Sequence, residues 1–297
     1  LFPGSETFRL VHGESDFLPG LVIDKYEDAC VLQTFSAGME RRLPEICDAL
    51  TSLLHPRGIV ERNESPLRSL EGLELRKGIL RGSVETVSFI EEGIKYAVDL
   101  LEGQKTGFFL DQRENRRAIR RYARGSAVLD CFSNDGGFSL NSAAGGAASV
   151  LGVDASESAV LRASANAATN GLDAEFVCRD AFEFLRHLTA GEQRFGLIIL
   201  DPPSFAKSKK SLAKAKRGYK ELHTLALKLL SPGGILATAS CSHHIFEEKF
   251  LEIVQSSAQS VHRQVKLLEW RGAAPDHPVL PGMPETRYLK MGSFQVT

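Results

Sequence analysis

From about residue 125 onward, short apolar runs alternate with stretches whose apolar positions recur every three to four residues. The runs Ser126–Asp130, Ser149–Asp154, Ala174–Cys178, Gly196–Leu200 and Gly234–Ser240 read as strands, rich in Val, Ile, Leu or Ala. Helices are predicted over about 137–144, from Ser156 to the Asn170-Gly171 stop, over 181–188, and over about 215–230 ahead of Ser231-Pro232-Gly233-Gly234. Strand alternating with helix predicts an α/β fold, a doubly wound and mostly parallel sheet with helices on both faces. The tail adds a helix near 246–260 and two β-like runs, Val265–Trp270 and Tyr288–Phe294, which pair at one sheet edge and bring the strand count to seven. Between these runs lies a proline-rich loop from Ala274 to Pro284.

Residues 1–100 read differently. Short alternating segments (Phe8–His12, Leu21–Lys25, Cys30–Phe35) precede a helix near 39–54, and Gly58–Arg62, Gly72–Leu80 and Thr86–Ile90 follow, all punctuated by glycine. The pattern predicts a small α+β domain over 1–102, suited to holding a substrate, and a larger α/β domain over 103–297. A chain of 297 residues accommodates both.

Composition narrows the class. Hydrophobic residues at 43% and charged residues at 25% describe a soluble globular protein, and no apolar run has the length of a membrane span. The opening Leu1-Phe2-Pro3-Gly4 lacks a basic-then-apolar leader, so a cytoplasmic location is expected. The five cysteines include no C-x-x-C pair, which argues against a zinc knuckle, and their odd number argues against a disulfide framework. No metal is expected. The net charge of −1 conceals two basic clusters. Lys207, Lys209, Lys210, Lys214, Lys216, Arg217 and Lys220 follow the Asp201-Pro202-Pro203 turn, and Arg113, Arg116, Arg117, Arg120, Arg121 and Arg124 precede the first α/β strand. Either can be a solvated helix face, but two near one crevice favour a polyanionic substrate such as RNA.

Candidate chemistry gathers after the strands, where an open parallel sheet places its ligand crevice. Asp130-Cys131-Phe132-Ser133-Asn134-Asp135-Gly136-Gly137 follows the first strand, and its two glycines let backbone pass close to a ligand. Asp154 ends the second strand, where an acid accepts hydrogen bonds from ribose hydroxyls, and Asp180 lies where it can meet an adenine amino group. Both acids have a plainer reading as helix caps. The G-x-G-x-x-G fingerprint is missing, which favours a cofactor without phosphates, such as S-adenosylmethionine. Asp201 follows the fourth strand and Cys241 the fifth. A thiolate adding to C6 of a pyrimidine makes C5 nucleophilic enough to accept a methyl group, and an acid near N3 stabilises the adduct. A lone cysteine is more often packing, but Ser240, Ser242, His243 and His244 give Cys241 a polar setting, whereas Cys30, Cys47 and Cys178 lie in apolar runs that read as core and Cys131 lines the cofactor turn.

These residues together resemble the bacterial 5-methylcytosine methyltransferases of large-subunit ribosomal RNA, class I S-adenosylmethionine-dependent enzymes with a Rossmann-like fold. The resemblance covers nearly the whole chain: Glu6–Asp24, Glu91-Glu92-Gly93, Lys105–Arg113, Cys131-Phe132-Ser133 with Gly136-Gly137-Phe138, Asp201-Pro202-Pro203, Arg217-Gly218-Tyr219-Lys220, Ser240-Cys241-Ser242 and Asp276-His277-Pro278. It implies a cofactor turn over 130–138 that includes Asp130, Phe132, Ser133, Gly136 and Gly137, and a ribose contact by Asp154. It also implies an adenine-side contact by Asp180, a cofactor contact by Gln112, Asp201 beside both cofactor and substrate, and nucleophile Cys241. Lys209, Lys210, Lys214, Lys216 and Arg217 become candidate contacts to ribosomal RNA, and a homodimer is a compatible assembly. Where family members commonly carry Tyr-Thr, this chain has Asn134-Asp135, an extra acid beside the turn. Members also begin with a small RNA-binding PUA domain, and the resemblance places residue 1 inside the domain that follows it.

Three rival readings fit less well. A nucleobase N-methyltransferase carries an aromatic immediately after its Asp/Asn-Pro-Pro turn, but here Ser204 precedes Phe205, and nitrogen chemistry has no use for Cys241. A nicotinamide-dependent dehydrogenase would need the missing glycine fingerprint. A catalytically silent RNA binder would need none of Asp154, Asp201 and Cys241 at their positions.

Overall fold

The computed structural model describes residues 2, 4–205 and 211–297. Packing divides the chain into two units, Leu1–Arg113 with Ala274–Thr286, and Glu114–Ala273 with Arg287–Thr297. The division thus falls at 113/114 rather than the expected 102/103, and the proline-rich loop returns to the first unit. Local bonds explain the return: Asp276 Oδ2 accepts the Arg9 backbone N–H at 2.9 Å, and Ala274 N donates to Asp111 O at 2.9 Å.

The first unit is built on a five-stranded sheet in the order β1 (Thr7–His12), β2 (Leu21–Tyr26), β3 (Ala29–Thr34), β4 (Gly58–Asn63), β5 (Arg76–Gly82). Only β3 and β4 run parallel, because the helices α1 (Ala37–Arg41) and α2 (Leu43–Leu54) carry the chain between them. Leu43, Cys47 and Leu50 of α2 recur at helical spacing and bury against Ile23, Cys30, Leu32 and Ile59. A separate hairpin pairs β6 (Thr86–Glu91) with β7 (Ile94–Asp99), and Phe89, Tyr96 and Phe108 cluster there with ring centroids 4.9–5.6 Å apart.

The second unit carries a seven-stranded sheet formed by β8 (Ala127–Cys131), β9 (Ser149–Asp154), β10 (Glu175–Cys178), β11 (Phe195–Leu200), β12 (Leu230–Ser240), β13 (Val265–Arg271) and β14 (Lys290–Val296). The order is β10-β9-β8-β11-β12-β14-β13, with β8 to β12 mutually parallel and β14 antiparallel to both of its neighbours. The expected pairing of the two tail strands at one edge is therefore present. Leu230 pairs with Phe195 and Ile235 with Leu197, so Ser231-Pro232-Gly233-Gly234 forms an irregularity within β12 rather than a turn ahead of it.

Alternation along β11 shows why helices cover both faces. Ile198 and Leu200 join a core with Leu185, Leu222 and Val254, which belong to α6 (Ala181–Leu188), α7 (Leu212–Leu229) and α8 (Glu247–Ser260). Leu197 and Ile199 point into the opposite core with Ile119 and Ala123 of α3 (Arg113–Ala123) and Phe138 of α4 (Gly137–Ala144). The remaining helix, α5 (Glu157–Asn170), starts on the Ser156 cap and stops at Gly171, whose φ of 59° only glycine adopts without strain. Among the described residues, no helix is long and apolar enough to cross a membrane.

Candidate active site

The strand order of the larger sheet reverses between β8 and β11, since the chain runs outward through β9 and β10 on one side and through β12 on the other. The carboxyl ends of β8 and β11 therefore flank the crevice. On the β8 side, the backbone enters the left-handed region at Phe132 (φ 69°), Asn134 (φ 46°) and Gly136 (φ 85°) before α4 begins at Gly137. This tight path is fixed from the neighbouring strand. Phe132 N and Ser133 N both donate to Val153 O, at 2.8 and 3.1 Å, and Asn134 N donates to Asp154 Oδ2 at 2.9 Å.

Asp154 thus ties two loops together, because its other oxygen accepts Ser156 N at 2.9 Å. Ser156, not Asp154, caps α5. Asp130 is fully buried in β8, and its Oδ2 accepts the Ser139 hydroxyl at 2.6 Å. Burial pushes its carboxyl up to about 7, and the nearby charges of Asp201 and Asp154 act in the same direction. Asp130 Oδ1 and Ser133 Oγ are buried without a hydrogen-bond partner among the described residues. Buried polar atoms are nearly always paired, so this turn fits a ligand that completes them, as S-adenosylmethionine would.

Asp135 is buried and pairs with Arg162 of α5 at 2.8 Å, so the extra acid of this chain is neutralised within the fold. Asp180 is exposed and caps α6, its Oδ1 accepting Glu183 N at 3.0 Å. Gln112 is buried on a single 3-10 turn, Leu110–Gln112, of the first unit.

Asp201 and Cys241 lie at the ends of neighbouring parallel strands, where Leu200 of β11 pairs with Thr238 of β12. Both are half-buried. A hydroxyl network surrounds the cysteine's flanks. Tyr219 OH donates to Ser240 Oγ at 2.9 Å, Ser242 N donates to the same oxygen at 3.3 Å, and Ser204 Oγ lies 3.1 Å from Ser242 Oγ. Tyr219 is buried between Phe205 and Phe250, and burial raises its phenol to about 12, so it remains a neutral donor. Lys290 of β14 pairs with Ser240 and donates from Nζ to Ser242 O at 2.9 Å. Sequence reasoning passed over this lysine, although a charged residue inside the apolar run Tyr288-Leu289-Lys290-Met291 is itself a signal.

Of the other cysteines, Cys30, Cys47 and Cys131 are buried, and burial pushes each thiol up, to about 11 for Cys30 and well above its usual value for Cys131. Cys178 corrects the expectation of a core position, because it is exposed at the end of the edge strand β10.

The basic clusters separate. Lys209 and Lys210 lie outside the described residues, while Lys214 is exposed at the start of α7. Lys216, Arg217 and Lys220 line one wall of a groove of about 500 Å³ whose other wall is α8, with Lys249, Gln255, Ser256 and Gln259. The arginine cluster is partly structural: Arg113 and Arg116 are buried, Arg113 pairs with Glu91 at 3.1 Å, and Arg121 pairs with Glu269.

The reversed strand order, the glycine turn and the acid ending the second strand define a Rossmann-like, nucleoside-binding type of domain. A sequence profile of the S-adenosylmethionine-dependent methyltransferases matches residues 77–284. The chain is 43% identical to the ribosomal RNA large subunit methyltransferase I of Aeromonas salmonicida and 42% identical to that of Photobacterium profundum. Each match spans 97% of this chain and 74% of the relative. Among solved structures, SMU.776, described as a methyltransferase and complexed with SAH, matches with a TM-score of 0.86 and 25% identity over 98% of this chain and 75% of that one. The chain belongs to the S-adenosylmethionine-dependent methyltransferases, in the group of the large-subunit ribosomal RNA methyltransferases I. Its cofactor is S-adenosylmethionine.

Proposed function

We propose that this protein methylates large-subunit ribosomal RNA in the cytoplasm, at C5 of a cytosine, through a covalent adduct on Cys241. One observation carries the chemistry: an acid and a thiol follow adjacent parallel strands at the crevice edge of the same sheet. Nitrogen methylation would leave Cys241 without a task. The names of the relatives support ribosomal RNA as the substrate.

Asp130, Phe132, Ser133, Gly136, Gly137 and Asp154 hold the cofactor in this reading, with Asp180, Gln112 and Asp201 as further contacts. S-adenosylmethionine supplies an electrophilic methyl group on a sulfonium. Cys241 Sγ bonds to C6 of the ring and moves the C5–C6 π pair onto C5, which accepts the methyl group. Asp201 faces N3 and holds the proton that balances the ring's developing charge. Loss of the C5 proton to a base then restores the double bond, and the Sγ–C6 bond breaks to return the thiolate. Lys214, Lys216 and Arg217, with Lys209 and Lys210, contact RNA phosphates, and the groove between α7 and α8 extends that basic surface.

Mass mapping of ribosomal RNA from cells with and without the gene tests the reading. Loss of a single 5-methylcytosine from the large-subunit RNA is expected. Loss of an N-methylated base instead would contradict it.

A further inference from the structure

Lys290 is a buried cation to which the covalent reaction assigns no task. It is 4% exposed, and among the described residues it forms no ion pair with a carboxylate. An ammonium group has three donors, and Ser242 O, at 2.9 Å, is its one hydrogen-bond acceptor among the described residues. A buried charge is costly unless something compensates it, so a lysine kept here needs an anionic partner for at least part of the reaction.

The sheet register identifies that partner. β14 runs antiparallel to β12, and Lys290 is the direct cross-strand partner of Ser240. Its Nζ reaches past that pair to the carbonyl of Ser242. Lys290 therefore lies across from Ser240 on one side of Cys241 and is bonded to the carbonyl of Ser242 on the other. Among the described residues, Cys241 and, after it, Glu247 of α8 support the Lys290 ammonium, and Tyr219 of α7 feels the charges of Cys241 and Asp201. Tyr219 is neutral, and an ionised carboxylate nearby would disfavour a thiolate. Lys290 is a cation placed to favour one.

We propose that Lys290 is the positioning residue that keeps Cys241 in its thiolate form, by fixing the Ser240–Ser242 backbone and opposing the negative charge on sulfur. The assignment rests on the covalent reading above. Burial lowers the Lys290 ammonium to about 8, and negative charge on Cys241 works against that lowering, so the charged pair is mutually supporting near neutral pH. The same charge assists the last step, in which the Sγ–C6 pair returns to sulfur and the thiolate leaves.

The experiment measures alkylation of Cys241 by iodoacetamide against pH, read by peptide mass mapping so that exposed Cys178 does not contribute. It compares the native protein with Lys290→Met and Lys290→Arg. S-adenosylmethionine binding by each variant confirms that the fold is intact. At pH 7, Lys290→Met should react about tenfold more slowly, with its pH profile displaced upward, because one unit of displacement changes the thiolate fraction tenfold. Lys290→Arg should retain most of the native rate. A folded Lys290→Met protein with the native profile overturns the assignment, as does an Arg variant no better than Met, since Lys and Arg share the positive charge and N–H donors that Met lacks. Methyl transfer by Cys241→Ser is measured separately. Normal transfer there removes the covalent reading itself, whereas abolished transfer with an unchanged Lys290→Met profile removes the Lys290 assignment alone.

Discussion

Ser139 donates its hydroxyl to Asp130 Oδ2 at 2.6 Å inside the crevice wall, while Asp130 Oδ1 has no partner among the described residues. One hydrogen bond does not offset full burial, and the carboxyl is held at about 7 instead of its usual 3.8. Because the folded value is raised, the stabilising neutral form is fully populated below about pH 4. Its contribution is lost as pH rises through 7. Asp130→Asn removes this titration. In the cofactor-free protein, its stability relative to native should therefore rise between pH 5 and pH 8. Thermal or urea unfolding at both values checks this, and a pH-independent difference would show that Asp130 does not titrate in this window.

Asp154 accepts backbone N–H groups from both the cofactor turn and the α5 cap region. Asp154→Ala leaves Asn134 N and Ser156 N without their acceptor and removes a candidate ribose contact. Cofactor affinity should fall by about 1–3 kcal/mol, the range for removing hydrogen bonds to an ionised group. Calorimetry gives the value. Unchanged affinity with a lowered melting temperature would confine Asp154 to a structural role.

Gly136 has a φ of 85°, and an added Cβ would lie 3.2 Å from both Ala163 Cβ and the Phe176 ring. Gly136→Ala therefore combines backbone strain of about 1–2 kcal/mol with crowding against α5. Lower stability and weaker S-adenosylmethionine binding are expected together, read by denaturation and calorimetry. A variant that loses neither would mean that the turn relaxes at no cost.

The groove between α7 and α8 presents Lys216, Arg217 and Lys220 on its α7 wall, while Lys249 on the α8 wall is paired with Glu252. Replacing Lys216, Arg217 and Lys220 with Gln should weaken RNA binding. It should also flatten log K against log salt by about 0.7–0.9 for each phosphate that is no longer neutralised. Binding isotherms from low to high salt give the slope, and cofactor affinity should be unaffected. An unchanged slope would move the RNA path away from this groove.

The α/β half was legible because its strands are buried on both faces and read as plain apolar runs. The Val and Ile of β8, β9 and β11 and the Gly171 stop of α5 come straight from that pattern. β7 was missed, although Ile94, Tyr96 and Val98 alternate with exposed neighbours, because the tight Glu92-Gly93 turn joins it closely to β6. The return of 274–286 to the first unit is marked by the Arg9–Asp276 and Ala274–Asp111 bonds, which join distant stretches that no local pattern connects. In the site, the positions of Asp130, Asp154, Asp201 and Cys241 followed from strand ends. What local sequence could not supply was pairing: Asp135 with Arg162, and Lys290 with Ser242. The cap at Asp180 is a local feature, and Glu183 three residues on already marks it.

The proposed reaction turns on a covalent bond from Cys241 Sγ to C6 of the cytosine. Its most direct measurement is nucleoside mass analysis of large-subunit ribosomal RNA after reaction with labelled S-adenosylmethionine, using the native protein and Cys241→Ser. Native protein should place the label in 5-methylcytidine. Cys241→Ser should bind the cofactor normally yet transfer methyl groups several orders of magnitude more slowly, because a hydroxyl is far less nucleophilic than a thiolate at neutral pH. Native rates from Cys241→Ser, or label on a base nitrogen, would contradict covalent catalysis at Cys241.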